Sequence, residues 1–269
     1  RNLPSSIFIL PVIAELGLPI VSHGVFSVGP KYGCTHHLTL KELGYNSNND
    51  HQEIVERLEN KDIGWAYADQ SMFNPKLHNL MSLRKQIIKR PVITTVEVLV
   101  KPVSSKNDMF FTGFVHKPYP PIYLELSRNA QFNSATVIRG TEGGIIPSLR
   151  QTGKVHFYHS ASEQDDYYDV TPEDLGIVQS SRAVDIPEEI TRKNTKDKIE
   201  SKVDAVDIAR ETIKSGTSAL SGNDGPMLSC IQLGAAIVLQ RATGNDLGNC
   251  SKEVLRVLKS GAALKRMKR

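Results

Sequence analysis

The chain lacks most of the features that settle a protein's class at a glance. Among its 269 residues are only three cysteines, Cys34, Cys230 and Cys250, at no metal-binding spacing and in no even framework. Cysteine this sparse suits a reducing compartment, and a cytoplasmic location is expected. No apolar run approaches the ~20 residues of a membrane helix, and no signal-peptide pattern is present, so no membrane partner is expected. Charge of one sign is missing too: 33 Lys and Arg against 29 Asp and Glu leave +4, too mild to name a partner. There are no internal repeats and no long low-complexity tract. The 39% of hydrophobic residues suffices for a sizeable core. That suits one large domain, or a large domain with a small one.

The most informative stretch that is present is 134–147, SATVIRGTEGGIIP. A β-branched run breaks into a turn holding Gly140, Gly143 and Gly144, as an open α/β sheet does where a ligand approaches the backbone. A single acid, Glu142, sits in that turn, and Ile145 and Ile146 follow. Upstream, Ser5 or Ser6 is placed to cap a helix that ends at Gly17, and Pro19–Val21 reads as a short strand. Helices are expected over Thr35–Leu43, His51–Leu58, Pro75–Ile88 and Pro121–Ala130. Strands are expected over Ile63–Ala68 and Met109–Val115, with an edge strand at Lys154–Tyr158. Residues 160–200 read as charged and turn-rich. Helices follow at Val203–Lys214, Pro226–Arg241 and Ser251–Arg269, the middle one apolar nearly all round and therefore buried. Strands alternating with helices predict an α/β fold: a mostly parallel central sheet flanked by helices, with a smaller all-helical domain. One domain is expected over 1–269. Helices near 35–60 contribute to the small helical part, and a hinge-like stretch spans about 91–107.

Several segments, taken in order, resemble the anthranilate phosphoribosyltransferase-like family (glycosyltransferase family 3). Ser22-His23-Gly24-Val25 stands where that family has Lys-His-Gly-Asn. Pro30–Gly44 is similar to its serine- and glycine-rich loop and the helix after it. Ser82–Arg90 is similar to its arginine-bearing segment, and Thr171–Gly176 to its Thr-Pro-Glu-Asp-Phe-Gly. Ile231–Leu239 and Ser260–Leu264 look like its last two helices. The resemblance implies a nucleoside phosphorylase/phosphoribosyltransferase-like fold, incomplete at its N-terminus. The chain opens at Arg1-Asn2-Leu3 without an initiator Met, and the family's glycine-rich phosphate loop would lie upstream.

The departures from that pattern point away from the family's chemistry. The resemblance places an Asp-Glu pair for Mg²⁺ where Ile145 and Ile146 stand, and isoleucine offers no oxygen to a hard cation. Val25 replaces the motif Asn, Ser22 the motif Lys, and Gly29 and Pro30 the usual serine pair. A divergent branch is implied: a homodimer that has lost anthranilate transfer and binds nucleic acid, DNA or RNA, without marked sequence preference. No metal or other cofactor is then expected. The alternative is an active transferase using phosphoribosyl pyrophosphate or another ribosyl donor, with Mg²⁺ and Glu142 as one ligand.

Candidate ligand or phosphate contacts are His23, Gly24, Lys31, Arg84, Arg139, Gly140, Glu142 and Gly143. By position His23 is the family's substrate-side histidine; equally, it reads as a strand-end histidine bonded to backbone. The resemblance gives Arg84 the contact to the aromatic acid. Arg139 either meets a phosphate with the amides of 140–144 or pairs with Glu142. Candidate nucleic-acid contacts are Arg84, Lys85, Lys89, Arg90 and Lys101, against the bland alternative of a solvated face. A second basic group, Lys259, Lys265, Arg266, Lys268 and Arg269, reads first as a solubilising tail. Of the aromatics able to stack on bases, Phe26, Tyr32 and Trp65, the last reads as core. Adjacent His36 and His37, with His116, have no carboxylate at ligand spacing, and no nucleophile elbow is recognisable.

Overall fold

The computed structural model describes residues 2–26, 33–87, 92–141, 144–192 and 204–269, with Lys85, Thr191 and Arg192 described by backbone alone. Its first parallel pair joins β1 (Ile20–Gly24) to β2 (Trp65–Asp69), with His23 opposite Ala68 and Gly24 opposite Asp69. A second sheet runs in the order β3 (Met109–Gly113), β4 (Ser134–Ile138), β5 (Gly153–Tyr158), β6 (Asp166–Val170). β3 and β4 are parallel, and the β4–β5 and β5–β6 pairings are antiparallel.

The helices are α1 (Ile9–Glu15), α2 (His36–Glu42), α3 (His51–Glu59), α4 (Gln70–Phe73), α5 (Pro75–His78), α6 (Met81–Gln86) and α7 (Ile93–Val96). Then come α8 (Tyr119–Asn129), α9 (Glu188–Arg192), α10 (Ala205–Leu220), α11 (Pro226–Thr243), α12 (Leu247–Ser260) and α13 (Ala262–Met267). The starts have ordinary physical causes. Thr35 caps α2 by accepting from Leu38 N at 3.2 Å. Asp50 and Glu53 form a reciprocal capping box on α3, and Asp204 and Asp246 cap α10 and α12. Ser5 does not cap the opening turn; its hydroxyl meets the Cys230 thiol instead.

As its composition predicts, α11 is buried nearly all round, and α1, α10 and α12 pack about it. Two glycines allow that approach. A Cβ on Gly216 would fall 2.0 Å from the Phe8 ring, and one on Gly234 would fall 2.6 Å from Ile9 Cδ1. On the larger sheet, α8 covers a second apolar cluster of Phe110, Phe114, Tyr123, Leu124, Val137 and Tyr158. Among the described residues no helix is long and apolar enough to cross a membrane.

Four sequence expectations need correction. The single helix over Pro75–Ile88 is divided: Asn74 Oδ1 caps Leu77 N at 3.1 Å, α5 ends in a turn at Asn79 and Leu80, and α6 starts afresh. The apolar side of that stretch is not buried, since Leu80, Leu83 and Ile87 are 42%, 51% and 42% exposed. β5 is not an edge strand; β6 lies outside it, in the segment read as turns. β6 escapes notice because its outer residues are acidic and exposed, while Tyr168 reaches inward to Gln240 Oε1 at 2.9 Å. Finally, the last helix divides at Gly261, whose φ of +69° stops α12 before α13.

Candidate functional site

The carboxyl ends of parallel strands are where open α/β folds place ligands, and two such ends exist here. At the first, β1 delivers His23 and Gly24. A Cβ on Gly24 would sit 3.3 Å from the Tyr67 hydroxyl, which is buried without a hydrogen-bond partner among the described residues. His23 Nε2 lies 3.3 Å from the Val98 carbonyl oxygen, and its ring meets Phe73 edge to face at 5.6 Å. Burial holds the His23 imidazole below its ordinary pKa, against the pull of that carbonyl. Neutral His23 therefore donates Nε2–H to Val98.

The cations assigned to this region are engaged. Arg84 Nη1 lies 2.6 Å from each oxygen of Glu97. Lys101 Nζ donates to Asp108 Oδ2 at 2.9 Å and to the Gln131 carbonyl at 2.7 Å, over the ring of Phe132. Burial works to raise the Asp108 pKa, but the hydrogen bonds from Lys101 and Ser105 outweigh it and hold the carboxyl below the usual range. Lys31, Lys89, Arg90, Glu142 and Gly143, and the Lys85 side chain, lie outside the described residues.

Beside His23 lies a buried polar group that sequence reasoning missed. His37 Nε2 is 3.0 Å from Ser47 Oγ, and its Nδ1 is 3.5 Å from Asp69 Oδ2. Burial lowers the His37 pKa; Asp69 opposes that shift and Lys41 adds to it. His36 spans Ser6 Oγ and Ser22 Oγ, each at 2.8 Å. Only the two adjacent histidines signalled these contacts, because their partners are distant in sequence.

The second end is the glycine turn after β4. A Cβ on Gly140 would fall 1.5 Å from the Gly144 carbonyl oxygen, so glycine is obligatory there. Thr141 N donates to Ile146 O at 2.9 Å and Gly144 N to Thr141 O at 3.1 Å. Ile146 is 6% exposed and packs on α11 at Gly234. The turn closes one side of a cavity of about 30 Å³, whose other walls include Ser5, Ser6 and Cys230. Burial pushes the Cys230 thiol up to about 12, so it is not a nucleophile. Thr141 Oγ1 is buried without a hydrogen-bond partner among the described residues.

Arg139 lies at the end of β4, exposed and with no ion pair among the described residues. Topology puts Lys117, after β3, and Arg150 and Lys154, around the start of β5, at the same sheet edge. Lys117 and Arg150 are exposed, and Lys154 pairs with Asp169 at 2.9 Å. Elsewhere, Trp65 is core, donating Nε1–H to Arg266 O at 3.3 Å. In the C-terminal basic group Lys259, Arg266 and Arg269 pair with Asp224, Glu15 and Asp62.

The model of the glycosyl transferase family, a/b domain, matches residues 5–264. The chain belongs to this family. Anthranilate phosphoribosyltransferase of Aquifex aeolicus is 22% identical over 254 residues, which is 94% of this chain and 67% of that enzyme. An uncharacterised protein of the same organism is 30% identical over 146 residues, covering 53% of this chain and 41% of its own length. The Novosphingobium aromaticivorans anthranilate phosphoribosyltransferase is 25% identical over 170 residues, 63% of this chain and 49% of that one. The chain thus spans about half the length of the first curated relatives it matches. Among solved structures, that of anthranilate phosphoribosyltransferase from Thermus thermophilus aligns with a TM-score of 0.72 at 18% identity, over 100% of this chain and 73% of its own. The Saccharomyces cerevisiae enzyme, solved with PRPP and Mg, aligns at 0.74 and 14% identity, over 99% and 68%. The α/β fold with a helical layer is therefore the one these transferases share.

A family implying Mg²⁺ invites a test of the donors present. Among the described residues at the turn's cavity, the side-chain oxygens are those of Asn2, Ser5, Ser6 and Thr141, beside two isoleucines. Among the described residues no group of three or more His, Cys, Asp or Glu could hold a metal ion. Mg²⁺ demands near-octahedral oxygen and is usually anchored by carboxylate, so the described donor set does not fit it.

Proposed function

We propose that this chain is a phosphoribosyltransferase-fold protein that has lost Mg²⁺-dependent transfer to anthranilate and binds nucleic acid non-specifically. The observation that carries the reading is Ile146: the turn that ends at a ligand edge spends this position on core packing against α11 rather than on a carboxylate. The phosphate contacts belong to Lys117, Arg139 and Arg150, the exposed cations of one sheet edge, with Glu173 and Asp174 bounding them on the β6 side. Arg84 and Lys101 are not part of that surface, because Glu97 and Asp108 already neutralise them. Binding of this kind releases counterions and weakens by about 0.7–0.9 log units per log unit of salt for each phosphate contacted. The test is an oligonucleotide titration at several salt concentrations, beside calorimetry with phosphoribosyl pyrophosphate and Mg²⁺. Salt-insensitive binding, or none at low salt, defeats the nucleic-acid reading.

One observation favours a second reading, a transferase with an altered donor site. Thr141 lines the cavity with Ser5 and Ser6, and its hydroxyl, which has no partner among the described residues, is available to a phosphate oxygen. Mg²⁺-dependent binding of phosphoribosyl pyrophosphate supports this reading over the first.

A further inference from the structure

Two adjacent residues, Glu97 and Val98, close the carboxyl end of β1 from within the chain. The Glu97 carboxylate holds Arg84 at 2.6 Å through both oxygens, with the two side chains 16% and 12% exposed. The Val98 carbonyl holds His23 at 3.3 Å, and Phe73 lies against the same imidazole. A guanidinium and an imidazole beside an aromatic wall make a receptor for an aromatic acid, and the peptide 97–98 already occupies both polar positions. A carboxylate on a guanidinium is a strong, charge-assisted contact. Because Glu97 is tethered, its effective concentration at Arg84 reaches at least the millimolar range of short linkers.

We propose that Glu97 is a specificity-determining residue: its carboxylate is a resident substitute for an acidic ligand and, by saturating Arg84, excludes aromatic carboxylates from the end of β1. The inference rests on the reading that transfer to anthranilate has been lost, and it supplies a cause for that loss separate from the metal. An incoming carboxylate must displace Glu97 and lose, in exchange, a contact of the same kind. This lowers its affinity by about tenfold or more.

The experiment is calorimetric titration of the full chain with anthranilate. Wild type is expected to show no binding in the low-millimolar range, while Glu97→Gln binds at least about tenfold more tightly. The double variant Glu97→Gln/Arg84→Gln should lose that gain. A second measurement uses Glu97→Ala, whose melting temperature should rise with added acetate as the anion refills the vacated position. Wild type and Arg84→Gln should not respond. A folded Glu97→Gln that gains no affinity, or a Glu97→Ala indifferent to acetate, overturns the proposal. So does wild type binding anthranilate as tightly as the variant, and tight wild-type binding decides against it even where no variant folds. Mg²⁺-dependent binding of phosphoribosyl pyrophosphate to wild type would instead sink the loss of transfer while leaving the exclusion of anthranilate standing.

Discussion

Replacing Gly140 by alanine tests the account of the glycine turn most directly. The added Cβ would lie 1.5 Å from the Gly144 carbonyl oxygen and 2.3 Å from its carbonyl carbon. Both are backbone atoms, so no side-chain rotation relieves the overlap and the turn must open. Overpacking of this kind costs roughly 1–3 kcal/mol. Opening also weakens the Thr141 N to Ile146 O and Gly144 N to Thr141 O bonds, each with a net value of about 0.5–1.5 kcal/mol. The expected loss is about 2–5 kcal/mol, read as a lower urea midpoint at unchanged m. For a chain of this size it should lower Tm by roughly 5–15 °C. Gly44→Ala is the control, because open space surrounds it and only its φ of +87° resists a side chain. That dihedral strain should cost about 1–2 kcal/mol. A Gly140→Ala protein as stable as Gly44→Ala would refute the close approach.

The other expectations concern charge and burial. Burial holds His23, His37 and His156 below the ordinary imidazole value of about 6.5. The unfolded chain then binds protons that the folded chain refuses, so their stabilisation is complete above pH 6.5 and is lost as pH falls below it. Urea midpoints at pH 7.5 and 5.5 should show this fall, and His23→Gln should flatten it. Lys101→Met breaks the contact to Asp108 and should cost about 1–3 kcal/mol in urea while leaving oligonucleotide affinity unchanged; a reduced salt slope would return Lys101 to the binding surface. Replacing Lys117, Arg139 and Arg150 by alanine should lower that slope by about 0.7–0.9 for each phosphate contact removed. Ile146→Asp puts a carboxylate into packed core and should cost more than about 3 kcal/mol, with no recovery of Tm in MgCl₂. A tolerated Ile146→Asp that Mg²⁺ stabilises would restore the metal site to the argument.

How much of this was legible in the sequence depends on how far apart the interacting residues stand. The glycine turn could be read because its constraint is local: Gly140 and Gly144 meet four residues apart, and only glycine fits. The burial of α11 could be read because every face of its pattern is apolar. The helix over 75–88 misled because periodicity records spacing and not what lies opposite. Leu80, Leu83 and Ile87 face solvent, and the helix that Asn74 and Pro75 start ends at His78, with a second beginning at Met81. β6 misled in the opposite sense, since an exposed edge strand carries acids readily wherever its outer face meets water.

The state of the arginine was the hardest feature to foresee, and it changes the site most. Arg84 and Glu97 are 13 residues apart, on different helical turns separated by a proline-containing connection, and no periodicity links them. A sequence match assigns Arg84 a role from its position, but the availability of a guanidinium depends on its nearest carboxylate. The same holds for Lys101, which Asp108 neutralises from the far side of a turn that Ser105 braces. Arg139, read in the sequence as meeting either a phosphate or Glu142, is exposed and has no ion pair among the described residues. Two of the basic residues that look like a binding cluster in sequence, Arg84 and Lys101, are therefore held by local acids, while the sheet edge beside the glycine turn carries the exposed Lys117, Arg139 and Arg150. Arg139→Ala should consequently weaken oligonucleotide binding more than Arg84→Gln does, and the reverse order in a low-salt titration would place the nucleic acid at the end of β1 instead.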